Sequence, residues 1–395
     1  MTWRITPRNP DLGRTLHRLA GWTELELVER YNQPSTWVLE GPSSVLRVFT
    51  PGSGCILHDG DYQVASGQAR TFDRRAEYDS EGRLQDTMTI GFVEDTRDLW
   101  TRLCYPDPAH AITSTPSTFS TAYDTRTGAR EALILGYTAD NLGPAALVTS
   151  RRHTQLALPS SLGRGGTTTR KARMEKLGDL VADLAEGWGR VRIVHDEATG
   201  TPRLLMKIDT VQDLAANVIF GSPGVTRAAG YFKGWGYTLA DPEMTDAIGF
   251  DANEKAARQA TRVSSAAAIA LWKRRTEVLV DQSETDDTDQ IIDALNEKLA
   301  EGATPTSVEF TVSTGGDLQY RRDYNVGSRV GVEIPDLPNE VSDNTIREVV
   351  TKVRRGESGK PSLVIGTPGA ERRDNKGAAR LNKALLRIAK MERSR

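Results

Sequence analysis

Apolar and polar positions begin to alternate with a period of two about twenty residues into the chain. Leu25 and Leu27 alternate with Glu24 and Glu26, and Trp37 and Leu39 with Val38 and Glu40, the pattern of half-buried strands. Further short strands are expected at Val45–Thr50, Gly54–His58, Tyr62–Ser66 and Gln85–Phe92. They are separated by turn residues at Pro51-Gly52-Ser53-Gly54, His58-Asp59-Gly60 and Asp79-Ser80-Glu81-Gly82. Closely spaced short strands predict a small barrel or sandwich over residues 21–108, preceded by a polar arm at residues 1–20 that contains Pro7 and Pro10. Asp95–Leu103 reads as a short helix, with Asp95 as its N-cap and Pro106 as its stop.

The period changes in residues 109–255. After a Ser/Thr/Pro-rich loop at Ile112–Thr121, Leu177, Leu180, Val181 and Leu184 recur at i, i+3, i+4 and i+7, the stripe of an amphipathic helix, and Gly187 stands where a C-terminal cap belongs. A hairpin follows, in which Val191 and Ile193 alternate with Arg190 and Arg192, Ala198-Thr199-Gly200-Thr201 turns the chain and Leu204–Ile208 returns. This segment is α/β. Residues 256–370 turn β-rich again. An alanine-rich helix is expected at Ala256–Lys273, a strand at Arg275–Val280 and a helix at Thr288–Glu301 whose face carries Ile292, Leu295 and Leu299 and which Gly302 ends. Strands are expected at Val308–Ser313, Arg329–Ile334, Ile346–Arg354 and Ser362–Ile365. Gly327 sits in a turn that needs a positive φ. The fold class is therefore α+β and β-rich, with two β regions flanking an α/β segment.

Residues 371–395 contain nine Lys or Arg and three acids. Leu381, Leu385 and Ile388 share a helical face and, with Arg387 and Lys390, form a candidate partner-docking surface. A frayed basic helix is the competing reading, and the short apolar stripe argues against membrane or DNA binding.

Composition narrows the function. Lys plus Arg total 51 against 53 Asp plus Glu, a formal charge of −2, whereas a dedicated nucleic-acid binder carries a basic excess. Cys55 and Cys104 give no disulfide framework. Met1-Thr2-Trp3-Arg4 lacks the apolar run of a signal peptide, and Ala266–Trp272 is too short to span a bilayer. Synthesis in the cytoplasm and no membrane span are expected. Gly163-Arg164-Gly165-Gly166-Thr167-Thr168-Thr169-Arg170-Lys171 lacks the phosphate-loop order and reads as a flexible loop. Asp281, Glu284, Asp286, Asp287 and Asp289 lack a calcium-loop glycine and suit a helix start. His17, His58, His110, His153 and His195 are scattered. No catalytic, cofactor or metal site is expected.

Four stretches resemble the siphophage tail-tip family of baseplate hub proteins. They are Asp59-Gly60-Asp61-Tyr62-Gln63-Val64-Ala65-Ser66-Gly67, the run from Asp95 to Pro108, Asn141-Leu142-Gly143-Pro144-Ala145-Ala146 with Arg151 and Arg152, and Asp323-Tyr324-Asn325-Val326-Gly327-Ser328-Arg329-Val330 together with Ile346-Arg347-Glu348-Val349 and Ile365-Gly366-Thr367-Pro368-Gly369. Ser328 departs from the Asp or Glu common after that glycine. The resemblance implies two tail-tube-like β-barrel domains per chain and a homotrimer whose six barrels match a hexameric tube to a three-fold tip. It further implies a place in the virion beside distal tail or tail-tube proteins, the tape-measure protein and tip or fibre proteins. The alternatives are a tail-associated cell-wall-degrading enzyme and a carbohydrate-binding receptor module using Trp235 and Tyr237, residues for which core packing or loop anchoring is the expected role.

Overall fold

A computed structural model of the chain describes residues 3–78, 80–196, 201–221, 230–239, 241–252, 259–280, 288–302, 306–312, 318–333, 345–356 and 359–366. Its first layer is an antiparallel sheet of β1 (Trp3–Arg8), β2 (Glu24–Arg30), β3 (Thr36–Pro42), β4 (Gly54–Asp59), β5 (Tyr62–Tyr78) and β6 (Leu84–Glu94). Their spatial order is β1-β4-β5-β6-β3-β2. The alternation read in the sequence sets its faces: Leu25, Leu27, Trp37 and Leu39 point into a core shared with Ile5, Leu57, Ile90 and Phe92. The Trp37 ring stacks on Phe92, with centroids 5.5 Å apart.

Three expectations for this region are corrected. Residues 1–20 do not form a free arm, because β1 pairs with β4 from Trp3↔Asp59 to Arg8↔Gly54 and buries Trp3 and Ile5. Val45–Thr50 is not a strand. The short helix α1 (Ser43–Leu46) replaces it, and Leu46 and Phe49, three residues apart, are buried together. Asp95–Thr101 is a short helix as expected, of the 3₁₀ type, but Glu94 and not Asp95 is its N-cap, and the Asp95 carboxylate is engaged elsewhere.

The middle of the chain folds as read, with additions. β7 (Asp124–Ala129) leads into α2 (Arg130–Asn141), followed by β8 (Leu156–Ala157), β9 (Thr167–Ala172), α3 (Leu177–Ala185), β10 (Gly189–Asp196) and β11 (Arg203–Thr210). The whole predicted stripe of α3 is buried against Leu133, Ile134 and Tyr137 of α2 and the inward residues of β10 and β11. Gly187 follows the helix with φ +77°. Gly178 is required for a different reason. A Cβ there would lie 2.1 Å from Cδ2 of Trp100, so only glycine lets that indole lie against the helix. β10 and β11 pair antiparallel, with Val191 opposite Ile208 and Ile193 opposite Met206.

Beyond β11 come β12 (Ile219–Gly221), β13 (Gly230–Leu239), β14 (Asp246–Phe250), β15 (Ala260–Ser264), α4 (Ala266–Trp272), β16 (Glu277–Val280), α5 (Thr288–Glu301), β17 (Thr306–Val312), β18 (Gly331–Glu333), β19 (Ile346–Arg354) and β20 (Lys360–Gly366). The long alanine-rich helix is corrected to β15 and the two turns of α4, which Lys273 ends in a left-handed conformation, φ +53°. Helix α5 has the limits read in the sequence.

The chain divides into two compact units, one of Met1–Gly234, Phe310–Pro335 and Asn344–Leu363, the other of Trp235–Glu309, Asp336–Asp343 and Val364–Arg395. In the second unit β14 lies between antiparallel β15 and parallel β16, and Ile291 and Leu295 of α5 close a small core over Ala247. The division corrects the expectation that residues 21–108 and 256–370 each form a barrel. Strand β19 leaves the expected second module and pairs with β2, from Glu348↔Arg30 to Arg354↔Glu24. Its apolar Val353 completes the first core. Among the described strands the sheets are open and no barrel closes.

Candidate assembly site

The segment around residue 321 is fixed to the first sheet by a buried charge cluster that no local pattern reveals. Arg321 donates to Glu29 on β2 at 2.7 Å and to Asp59 on β4 at 2.5 Å. The Tyr320 hydroxyl donates to the same Glu29 carboxylate at 2.9 Å, and Arg190 of β10 lies 3.7 Å from it. The Arg321 guanidinium also lies 4.7 Å from the Tyr320 ring centroid and 5.2 Å from that of Trp3. Burial pushes the Glu29 carboxyl upward, but the charges of Arg321 and Arg190 and the hydrogen bonds outweigh it and hold the group below the usual carboxylate range. Gly327, expected to need a positive φ, has φ +90° and also faces the Tyr31 ring, 2.7 Å from where a Cβ would stand.

A second cluster joins β1 to the 3₁₀ helix. Arg8, 1% exposed, donates to Asp95 at 2.5 Å, and Ser66 donates to the other oxygen at 2.6 Å. Next to Asp95, Glu94 accepts the backbone N–H of Ser35 at 2.9 Å, while its other carboxylate oxygen is buried without a donor. Burial therefore raises the Glu94 carboxyl above its ordinary value. A group raised on folding stabilises below its unfolded value, about 4.3, and loses that contribution as pH climbs through the folded value. Glu94→Gln is accordingly expected to melt higher than wild type near pH ~8, with the gap closing toward pH ~4. Thermal melts at the two pH values check this, and a pH-independent difference would remove the argument.

The chemical candidates read in the sequence resolve differently. The glycine-rich stretch is ordered, not a flexible loop. Gly163, Gly165 and Gly166 have φ of +72°, +86° and +70°, and carbonyls of Gly166 and Arg164 accept the N–H groups of Arg130 and Glu131 at the start of α2. The Glu131 carboxylate turns back to accept from the N–H groups of Leu162 and Arg164 and from the Arg164 side chain at 2.5 Å. That helix start is thus already filled by its own chain. Among the described residues no group of His, Cys, Asp and Glu could hold a metal ion. Residues 281–287 and the docking residues Leu381, Leu385, Arg387, Ile388 and Lys390 lie outside the described residues. Trp235, for which core packing or loop anchoring is expected, is 45% exposed. Cys55 and Cys104 are buried free thiols, and burial pushes both up to about 12, which leaves them unreactive.

What stands out as an interaction surface is a ribbon. β5 and β6 stay paired from Gly67↔Glu94 out to Tyr78↔Leu84, well beyond the reach of the core. From Asp73 to Tyr78 every residue of β5 is exposed, as are Leu84, Gln85 and Thr87 opposite. Consecutive exposure on a strand means that both faces are bare. The Arg74–Asp86 fork is itself at the surface and contributes little. At the tip Tyr78 is 75% and Leu84 52% exposed. A two-stranded ribbon without a covered face is marginal in water, which makes this one a candidate contact for another chain.

Residues 2–367 match the family model of the Siphovirus ReqiPepy6 Gp37-like protein. The chain belongs to that family. It is a siphovirus tail protein family, which bears out the tail resemblance read in the sequence. Among solved structures the chain is similar to the prophage MuSo2 43 kDa tail protein from Shewanella oneidensis, at 13% identity and TM-score 0.48, with 93% of this chain and 99% of that one covered. It is also similar to a tail protein from Neisseria meningitidis MC58, at 12% identity and TM-score 0.48 over 94% and 98%. A third similar structure is prophage tail protein gp18 from Listeria monocytogenes EGD-e, at 9% identity and TM-score 0.45 over 92% and 94%. No curated protein matches. No described helix is long and apolar enough to cross a membrane.

Proposed function

We propose that this Gp37-like protein is a non-enzymatic structural component of a siphovirus tail, made in the host cytoplasm and built into the virion at the tail tip. There it forms a homotrimeric hub that caps the tube and adapts six-fold to three-fold symmetry. Family membership supports the tail assignment. The observation on this chain that carries the assembly role is the bare tip of the β5–β6 ribbon, which offers the exposed Tyr78 and Leu84 to a neighbour. Two compact units per chain let three copies present six. The described strands of the two units differ, so this matching needs equivalence only at the tube-facing surface. Distal tail or tail-tube proteins, the tape-measure protein and tip or fibre proteins are the proposed neighbours. The solution mass tests the hub: a trimer near three times 43.3 kDa is expected, and a monomer that persists in the presence of its tail neighbours would remove the reading.

Residues 371–395, read in the sequence as a basic helix, are assigned to docking, with Leu381, Leu385 and Ile388 as the apolar positions and Arg387 and Lys390 beside them. Leu385→Asp is expected to abolish capture of an acidic tail partner while the thermal melt stays unchanged. Undiminished capture would sink that assignment. A carbohydrate-binding module has one observation in its favour, the exposed Trp235 indole.

A further inference from the structure

We propose that the tip of the β5–β6 ribbon of one copy of this chain docks on a patch around Met174 of a second copy. This names the partner of the ribbon and rests on its reading as an assembly contact. Backbone pairing builds the patch. The stretch after the 3₁₀ helix runs antiparallel to the stretch between β9 and α3, with Leu103 bridged to Lys176. The Met174 N–H donates to the Cys104 carbonyl at 2.6 Å, and the Cys104 N–H to the Glu175 carbonyl at 2.8 Å. Cys104 is buried, so Leu103, next to it on the extended chain, faces outward. Leu103 is 40% and Met174 37% exposed. Met174 is held at φ +58°, a left-handed conformation that glycine adopts freely and a bulky side chain does not. Strain kept for a side chain left at the surface points to a contact outside the chain.

Cations edge this apolar pair. Residues 102–105, Arg151 and residues 170–183 hold six bases, Arg102, Arg151, Arg170, Lys171, Arg173 and Lys176, against three acids. All three acids are engaged, Glu175 and Asp183 with Arg170 at 2.7 and 3.6 Å and Asp179 with the Trp100 indole N–H at 2.7 Å. Lys171 and Lys176 are exposed and make no ion pair among the described residues.

The ribbon tip carries the complement. Tyr78 stands opposite Leu84, and residues 73–86 hold five acids and three bases. Arg74, Arg75 and Arg83 pair within the ribbon, with Asp86, Asp73 and Glu81. The two acids in excess, Glu77 and Asp79, flank Tyr78 in the sequence. An apolar pair edged with acids thus meets an apolar pair edged with cations, and the exposed charges steer the encounter. The two patches are unlike, so the contact runs head to tail and closes a ring where the rotation allows.

Disulfide trapping between two full-length variants tests the contact. One copy carries Ser80→Cys at the exposed ribbon tip and the other Arg173→Cys beside Met174, while Cys55 and Cys104 are buried and do not compete. The mixed disulfide is expected in at least about tenfold higher yield than with a Leu162→Cys copy, whose exposed thiol meets the ribbon only by chance. Met174→Gly in the patch copy should lower the yield about tenfold through lost apolar contact. It should not lower that copy's melting temperature, because glycine relieves the left-handed φ. Lys176→Glu should lower the yield about threefold to fivefold, the scale of one exposed ion pair, and Glu77→Lys in the ribbon copy should restore it. A yield no higher than the Leu162→Cys control, as when another tail protein covers the patch, overturns the contact, and so does a yield that neither Met174→Gly nor Lys176→Glu changes. A trimer that forms without this disulfide overturns the contact and keeps the hub. The disulfide in a chain that sediments as a dimer or an open polymer keeps the contact and removes the trimeric hub.

Discussion

Arg321→Ala is expected to lower the unfolding free energy by about 3–5 kcal/mol, the range for removing one partner from a buried ion pair. The loss comes from what remains. Glu29, 1% exposed, would retain only Arg190 at 3.7 Å, and Asp59 would lose its cation while its other oxygen already lacks a donor. Tyr320 would still donate to Glu29, which moderates but does not cancel the cost. Combining Arg321→Ala with Glu29→Gln should recover part of the loss, because one of the two stranded carboxylates is then neutral. Urea unfolding of the single and double variants measures this, and additive effects in that cycle would show the two groups to be uncoupled. Acid should act like the mutation. The Glu29 carboxyl is held below its ordinary range, so its contribution is present above the unfolded value of about 4.3 and disappears as pH falls through the folded value. Arg321→Ala should therefore be less sensitive to acid than wild type.

The same cluster shows where sequence reading stops. Arg321 and Glu29 are 292 residues apart, and nothing in the spacing of charges marks them as partners. Period-two and period-3.6 patterns are local, and where burial follows them the elements were legible: Leu25 and Leu27 of β2, the four-residue stripe of α3, and the limits of α5. β1 was missed because its buried residues include Thr6 and Arg8, types that read as surface unless a distant carboxylate such as Asp95 is known. Val45–Thr50 is rich in β-branched and aromatic residues, yet its apolar positions repeat every three residues and burial of Leu46 with Phe49 goes with a helical turn. The β2–β19 pairing is a tertiary choice between sheet edges, and propensity does not decide it. Arg190 and Arg192 were visible as the polar half of a hairpin. That they are buried rather than solvated goes with the carboxylates beside them, Glu29 of β2 and Glu94 of β6, which come from distant segments that no local signal announces.

Removing the ribbon is expected to abolish assembly while leaving the monomer intact. In a variant with Arg75–Thr87 replaced by an Asn-Gly turn, Arg74 and Met88, already opposite each other, would flank a two-residue hairpin. Among the deleted residues Thr87 stands opposite Pro42 of β3 and Asp86 hydrogen-bonds Ser43, so the unfolding free energy should fall by about 1–2 kcal/mol. Assembly should respond quite differently. Fully burying a side chain the size of Leu84 contributes about 1.5–3 kcal/mol, Tyr78 adds a comparable area, and ring closure repeats the contact at each protomer. Charging the tip with Tyr78→Asp and Leu84→Asp should have the same effect through desolvation of the new carboxylates. Sedimentation of the shortened chain with its tail neighbours distinguishes the possibilities. An assembly of undiminished mass would mean that the bare ribbon is not the contact, and a collapse of monomer stability would mean that it supports its own chain rather than a neighbour.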